Sequence, residues 1–322
     1  MQSVSVVVPV FNEEENVTRL YREIIEAIGH LDYEIIFVND GSTDNTQTKL
    51  ENLQKLDARV IVIELRKNFG QASAIQCGFD FASKSVICTI DGDCQNDPQD
   101  IPRMLKKLDE GYDMVTGWRK KRKDNAIFRI LPSKIASKII SFVTGVRLND
   151  FGSPLKVLRK DVAKQLRLYG EMHRFIPVLA STIGCKIYEM EVNHRPRVVG
   201  KSKYGISRTF RVVLDLVLLK FLLSFGKRPL HFFGYTGLFI LSLGFLGALK
   251  VFYERFFESV PAGDRPLLII SMMFILLGVQ FIFSGILAEL ITRTYHEAQN
   301  RPTYVIRSIY SSKVDTKAGS FG

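Results

Sequence analysis

The stretch Ser85–Pro98, SVICTIDGDCQNDP, decides the fold class of this 322-residue chain. An apolar run of strand length, Ser85–Ile90, ends in two carboxylates, Asp91 and Asp93, with Gly92 between them. A short continuous apolar run suits a strand covered on both faces, as in parallel sheets. At the carboxyl end of such a strand, carboxylates at i and i+2 point into the crevice where open α/β sheets bind ligands. Two like charges so close repel, unless a cation sits between them and the phosphates of a substrate. A hard ion with oxygen ligands, Mg2+ or Mn2+, fits that donor set. The bland alternative is a solvated Asp-rich turn, because a lone D-x-D is common.

Working outward, apolar runs of strand length alternate with amphipathic stretches from Met1 to about Asn193. Val4–Val10, Glu34–Asn39, Val60–Leu65, Val86–Ile90 and Met114–Thr116 read as buried strands. Glu14–Ile28, Thr43–Leu56 and Gln71–Ala82 carry helical periodicity. Strands alternating with helices predict crossover units and an α/β fold with a mostly parallel, doubly covered sheet. A further amphipathic helix is predicted at Ser133–Val143, with Ile135, Ile139 and Val143 on one face.

Beyond Lys227 the composition changes. Leu230–Phe252 is almost wholly apolar, and Leu267–Ile291 is similar, with one carboxylate, Glu289, near its end. About 20 apolar residues in a helix cross the hydrocarbon core, so two transmembrane helices are predicted; a pair of buried core helices is the alternative. Lys227 and Arg228 precede the first span, and Arg293, Arg301 and Arg307 follow the second. The positive-inside rule then puts both flanks in the cytoplasm and the short loop Tyr253–Pro266 outside. Arg208–Phe225 keeps a broad apolar face beside Arg208, Arg211, Asp215 and Lys220, as an interfacial helix in the headgroup region would. Packing against the soluble domain would account for it too. Ser311–Gly322 is small and polar and reads as a frayed tail.

The formal net charge of +11 suits a phosphate-rich partner: nucleic acid, nucleotide or an anionic membrane surface. No nucleic-acid-binding module is recognisable. The four cysteines, Cys77, Cys88, Cys94 and Cys185, form no C-x-x-C pair, so a reducing cytosolic setting is expected. The N-terminus enters a strand-like run directly, so no signal peptide is expected. The five consecutive cations Arg119–Lys123 read as a solvated loop, or as one that closes over diphosphate or touches headgroups.

Two more strands end in polar motifs. VNDGSTDNT, Val38–Thr46, ends a strand in Asp40, turns at Gly41 and enters a helix capped by Ser42 or Thr43. In VVVPVFNEEENV, Pro9 closes the first strand and Glu13 opens a helix. Each motif alone is weak.

Taken together, VPVFNEE, VNDGSTDNT, RKNFGQ and DGDCQNDP resemble, in order and spacing, the large inverting glycosyltransferase family 2 typified by dolichyl-phosphate mannose synthase. HRPRVVGKSKYG, His194–Gly205, resembles that group's R-x-x-G-x-S-K signature, and EAQNRPTYVIR its bacterial two-span members. The resemblance covers nearly the whole chain. It implies a GT-A-type cytosolic catalytic domain over 1–204, an amphipathic juxtamembrane segment over 205–228, two transmembrane helices over 229–292 and a cytosolic C-terminal tail over 293–322. It implies transfer of a sugar from a UDP- or GDP-linked donor to a membrane polyprenyl phosphate, undecaprenyl or dolichyl, with inversion. In a bacterium, that places the protein in the inner or plasma membrane. It also implies roles: Asp40 at the nucleoside with Pro9, Glu13 and Asp91 in the same pocket; Asp91, Asp93 and Gln95 at the metal; Arg197, Ser202 and Lys203 at phosphate of donor or lipid. Asp93 and Asp150 take the catalytic places.

Asp150 need not be a strong base. A lipid monophosphate has a second pKa of about 6 and is already largely ionised near neutral pH. Asp150 would instead orient Lys156, Arg159 or the metal shell. An Arg expected in the motif that follows it is replaced by Leu155 or Lys156. A processive polysaccharide synthase would carry Q-x-x-R-W and more spans, whereas the sole tryptophan, Trp118, follows Gly117. A non-catalytic nucleotide-sugar-binding scaffold would be free to lose the carboxylates that are present here. A homo-oligomer would suit a chain with two spans.

Overall fold

The computed structural model describes residues 3–120, 144–168, 172–196, 229–258, 266–298 and 302–312, with single positions between them. The chain divides into two compact units: Met1–Leu216 with Pro302–Gly322, and Val217–Arg301.

In the first unit the elements run β1 (Ser3–Val10), α1 (Val17–Ile28), β2 (Asp32–Asn39), α2 (Thr46–Leu56), β3 (Val60–Leu65), α3 (Gln71–Phe81) and β4 (Val86–Thr89). After α4 (Ile101–Asp109) come β5 (Met114–Trp118), β6 (Lys156–Arg159), α5 (Lys160–Gln165), α6 (Ile176–Thr182) and β7 (Ile187–Glu191). The last strand, β8 (Ile306–Tyr310), follows the second unit in sequence. One eight-stranded sheet has the order β7-β5-β6-β4-β1-β2-β3-β8. The pairs β1–β2, β1–β4, β2–β3 and β5–β7 are parallel. β6 is antiparallel to both β4 and β5, and β8 is antiparallel to β3.

The apolar runs form strands because helices cover both faces. Val6 and Val8 of β1 share a core with Leu20 and Ile24 of α1 and with Met104 and Leu108 of α4. On the opposite face α3 lies so close that a Cβ on Gly78 would stand 2.1 Å from Val7 Cγ1. Every β1 residue from Val4 to Val10 is therefore buried, which explains the absence of polar alternation.

Two strands stand out against the sequence reading, which also carries no expectation for α4, α5, α6 or β7. β6 is a four-residue strand, KVLR, inserted antiparallel between β4 and β5. β8 lies in the segment read as a tail; it closes the β3 edge, with Ile309 opposite Ile63. Arg307, which follows the second apolar stretch in sequence, pairs with Glu64 at 2.9 Å. Helix α2 starts at Thr46, later than the predicted Thr43, because Asp44 Oδ1 accepts from Thr46 N at 3.0 Å and Thr46 Oγ1 at 2.6 Å. Of the predicted helix Ser133–Val143, only single positions are described, among them Ser137, Ile140 and Ser141, which are helical. The predicted interfacial helix Arg208–Phe225 lies outside the described residues.

The second unit contains α7 (Pro229–Phe257) and α8 (Pro266–Ala298), both longer than the predicted spans. Each contains a stretch apolar and long enough to cross a membrane, Phe232–Phe257 and Pro266–Ala288, and only 11% of each window is buried. A core helix of a soluble protein would be mostly buried. The helices touch through small residues: a Cβ on Gly237 would lie 2.8 Å from the Gly278 carbonyl oxygen.

Candidate active site

The pairing directions bring one set of loops to one edge. β1, β2, β3, β4, β5 and β7 all end there, and the antiparallel β6 begins there. Residues 11–16, 40–45, 66–70, 90–97, 119, 150–155 and 192–195 follow or precede those strand ends, so they gather at the carboxyl edge where open α/β sheets bind ligands.

Asp91 and Asp93 stand in the loop after β4. Gly92 between them has no room for a side chain: a Cβ would meet Val10 Cγ1 at 2.7 Å. The turn is completed by Cys94 at φ +58°, a left-handed conformation uncommon for a residue with a side chain. Its side chain is buried with Sγ 3.6 Å from the Asn16 carbonyl oxygen, so packing holds the residue there. Asn12, in the loop after β1, shares the feature at φ +53°. Positive φ at such residues clusters at functional sites.

Asp91 Oδ1 accepts from Gln71 Nε2 at 2.7 Å, and Asp93 Oδ1 from the Gln95 backbone N–H at 3.2 Å. Burial pushes the Asp91 carboxyl well above the usual carboxylate range, and the Asp93 charge pushes the same way; Lys156 and Arg119 pull it back, and Glu13 adds to the rise. Such a pair suits a bound cation. Among the described residues no group of three or more His, Cys, Asp and Glu could hold a metal. Mg2+ and Mn2+ commonly bind through one or two carboxylates and complete their shell with water and substrate phosphates. Asp91 and Asp93, with Gln95 beside them, therefore fit a metal that arrives with a diphosphate.

The loops after β1 and β2 are laced together. Asn12 N donates to Ser42 Oγ at 2.9 Å, Thr43 N to Asn12 Oδ1 at 2.8 Å, and Glu13 N to Thr46 Oγ1 at 2.9 Å. Glu13 Oε2 accepts from Asn16 Nδ2 at 2.6 Å. Pro9 is buried within β1, opposite Val38. Asp40 accepts the backbone N–H of Phe69 at 2.7 Å and of Gly70 at 2.9 Å, one on each oxygen. Its carboxylate thus fastens the Arg66–Gly70 loop in addition to any ligand it meets. Gly41, at φ +69°, lets that loop approach: a Cβ would stand 2.5 Å from the Lys67 carbonyl carbon.

Asp150 is held from several sides. Arg119 Nε donates to Oδ2 at 2.7 Å and Nη2 to Oδ1 at 2.9 Å, and the two side chains are 10% and 6% exposed. Gly152 N donates to Oδ1 at 3.1 Å. Glu189 accepts from Asp150 N at 2.8 Å and Asn149 Nδ2 at 2.6 Å, which pins the loop. Arg119, the first of the five cations read as a solvated loop or as one that closes over diphosphate or touches headgroups, is largely withdrawn from solvent because β5 delivers it directly beside Asp150. Lys120 pairs with Glu191 at 3.3 Å. Lys156 is buried at the start of β6, opposite Thr89 and Thr116, and its ammonium meets the Ser153 carbonyl. Burial pulls Lys156 down to about 8, against the nearby Asp91 charge. Arg197, Ser202 and Lys203 lie outside the described residues.

The sequence alone assigns no role to Gln71 or Glu189, and it reads Arg119 only as part of a basic loop, not as the partner of Asp150. Gln71 stands in the RKNFGQ motif, but its reach to Asp91 depends on how α3 is seated on β1. Nothing local marks Glu189.

The mixed, mostly parallel sheet with a carboxylate pair at its carboxyl edge, continued in sequence by two long apolar helices, is the arrangement of a GT-A-like fold with two candidate membrane spans. Residues 5–167 match the model of "Glycosyl transferase family 2", and the chain belongs to that family. It is 43% identical over 318 residues to a dodecaprenyl-phosphate galacturonate synthase of Rhizobium johnstonii, covering 96% of this chain and 93% of that protein. It is 35% identical over 321 residues to an undecaprenyl-phosphate 4-deoxy-4-formamido-L-arabinose transferase of Proteus mirabilis, covering 98% and 97%. The fold is similar to that of glucosyl-3-phosphoglycerate synthase from Mycobacterium tuberculosis, solved with Mn2+ and UDP-glucose: TM-score 0.54 at 18% identity, over 68% of this chain and 79% of that one.

Proposed function

We propose that this chain transfers a sugar from a nucleotide-sugar to a polyprenyl phosphate in the membrane, with inversion. One observation carries the reading: similarity to two polyprenyl-phosphate sugar transferases runs through both the sheet and the apolar helices. An acceptor whose tail stays in the bilayer needs a catalytic unit tethered at headgroup depth, and tethering makes the encounter nearly intramolecular. The cations flanking the apolar helices, Lys227 and Arg228 before the first and Arg293 and Arg301 after the second, support a catalytic unit on the cytosolic side.

Asp91, Asp93 and Gln95 would hold Mg2+ or Mn2+, which supplies charge neutralisation for the departing nucleotide diphosphate. Glu13, Asp40 and Asp91 would line the nucleotide side, with Pro9 in the same pocket. Arg197, Ser202 and Lys203 carry the cation and hydroxyl chemistry that phosphate requires. The lipid phosphate attacks the anomeric carbon from the face opposite the leaving group. It is already largely ionised, its second pKa being about 6, so no carboxylate need remove a proton. Asp150, with both oxygens engaged, is suited to orienting Arg119 at the site edge. Uronic-acid and formamido-pentose donors head the candidate list, because the two relatives are named for transferring such sugars.

The test is a transfer assay with purified protein, Mn2+ and undecaprenyl phosphate against a panel of labelled UDP- and GDP-sugars. Chelator-sensitive label in the organic phase supports the reading. Nucleotide binding without lipid product from any donor, and with dodecaprenyl and dolichyl acceptors included, would remove it.

A further inference from the structure

Arg195 has no part in the chemistry above, yet it is tied to the Asp91–Asp97 loop through both its backbone and its guanidinium. Its N–H donates to the Gln95 carbonyl oxygen at 2.8 Å. One guanidinium nitrogen, Nη2, lies 2.8 Å from Asp97 Oδ1, and the other, Nη1, lies 2.6 Å from Glu23 Oε2 on α1. Glu23 is steadied by Arg19 at 2.8 Å. The flanking residues repeat the pattern: His194 forms a bridge with Asn96, and Asn193 N donates to Asp100 Oδ2 at 2.7 Å.

The chain leaving β7 is thus laid along the metal loop, and Arg195 joins that loop to α1. The loop needs an outside hold. It turns through Cys94 in a left-handed conformation, and its two carboxylates repel. A planar guanidinium can bridge carboxylates on two different elements at once; an ammonium on a flexible stem cannot present the same fork.

We propose that Arg195 is a positioning residue that sets the geometry of the Asp91–Asp97 loop for a metal–nucleotide complex, by strapping Gln95 and Asp97 to α1. The inference rests on the metal assignment made under the proposed function, but not on the identity of the sugar or of the acceptor. Residues that orient metal ligands from outside commonly change metal affinity by about 10–100-fold when removed.

The experiment uses the purified full-length protein and reads Mn2+-dependent binding of UDP and GDP by calorimetry, beside thermal unfolding without metal. Arg195→Ala is expected to weaken Mn2+-dependent nucleotide binding about tenfold while the metal-free melting temperature moves by less than about 3 °C. Arg195→Lys is expected to recover part of the binding, because it restores one ion pair but not the fork. Unchanged binding in Arg195→Ala overturns the proposal. So does a binding loss that only follows loss of folded protein and disappears on cooling. Absence of Mn2+-dependent binding of either nucleotide in the wild type overturns it outright. Wild-type protein that binds metal and nucleotide but moves no sugar to a polyprenyl phosphate overturns the acceptor reading instead, and leaves the Arg195 comparison intact.

Discussion

Asp150 and Arg119 face each other as a two-pronged ion pair, with Nε–Oδ2 at 2.7 Å and Nη2–Oδ1 at 2.9 Å. The two residues stand 31 positions apart in sequence. Their pairing joins the end of β5 to the loop before β6, at the edge that carries Asp91 and Asp93. An ion pair this deeply buried is costly to break from one side, because the surviving charge is left without a partner.

Arg119→Ala or Asp150→Ala is therefore expected to destabilise the protein by about 3 kcal/mol, lowering the melting temperature by about 10 °C. Replacing both with alanine should cost less than the sum of the single changes. Thermal unfolding of the three variants checks this, and strict additivity would contradict the pairing.

Asp93→Ala should abolish Mn2+-dependent nucleotide binding and lower turnover by more than about 100-fold, with little change in melting temperature, because relief of the repulsion with Asp91 offsets the lost hydrogen bond from the Gln95 N–H. EDTA should reduce the wild type to the same level. Asp150→Asn should reduce turnover less than Asp93→Ala does. An equal or larger loss would restore a proton-transfer role to Asp150.

His173 supplies a pH test. Burial pulls its imidazole down to about 3, and the nearby charges of Arg174 and Lys156 add to the shift. The unfolded chain therefore takes up the proton first. Stability is fully present above the ordinary value of 6.5 and is lost as pH falls from there toward about 3, with a limiting slope of about 1.4 kcal/mol per pH unit. His173→Asn should flatten that decline between pH 6.5 and 5. Denaturant unfolding across the range measures it; an unchanged slope would exclude His173 as its source.

The C-terminal strand offers another. Tyr304 is buried and donates to Asp80 Oδ2 at 2.9 Å, and β8 seals the β3 edge. Tyr304→Phe should cost about 1 kcal/mol. Truncation after Arg301 exposes the β3 edge and should bring aggregation as well as lower stability. A truncated protein that stays monodisperse with an unchanged melting temperature would show β8 to be dispensable.

The sequence by itself determined element type and order from β1 through β4 and again at β5, together with the two apolar helices. Those properties are local. A doubly covered strand needs a continuous apolar run, as in Val4–Val10, and a surface helix needs a repeat such as Val17, Leu20, Ile24 and Ile28. The Asp91/Asp93 pair was legible for the same reason: two carboxylates at a strand end announce themselves without any partner.

Only the tertiary structure decided what pairs with what. KVLR carries no signal that it belongs between β4 and β5, and IRSIY none that it closes β3. A short strand's neighbours are set by closure of long loops and by burial of both faces, not by its own pattern. The same holds for side chains. Arg119 heads a run of cations and reads as solvated, yet the strand before it delivers it to Asp150, where a single fork removes both charges from water. Asp40 reads as a ligand-binding carboxylate, and the fold gives it the Phe69 and Gly70 amides to hold as well. A charge's role depends on which opposite charge or donor the chain brings within about 3 Å, and that distance is fixed only when the sheet is assembled.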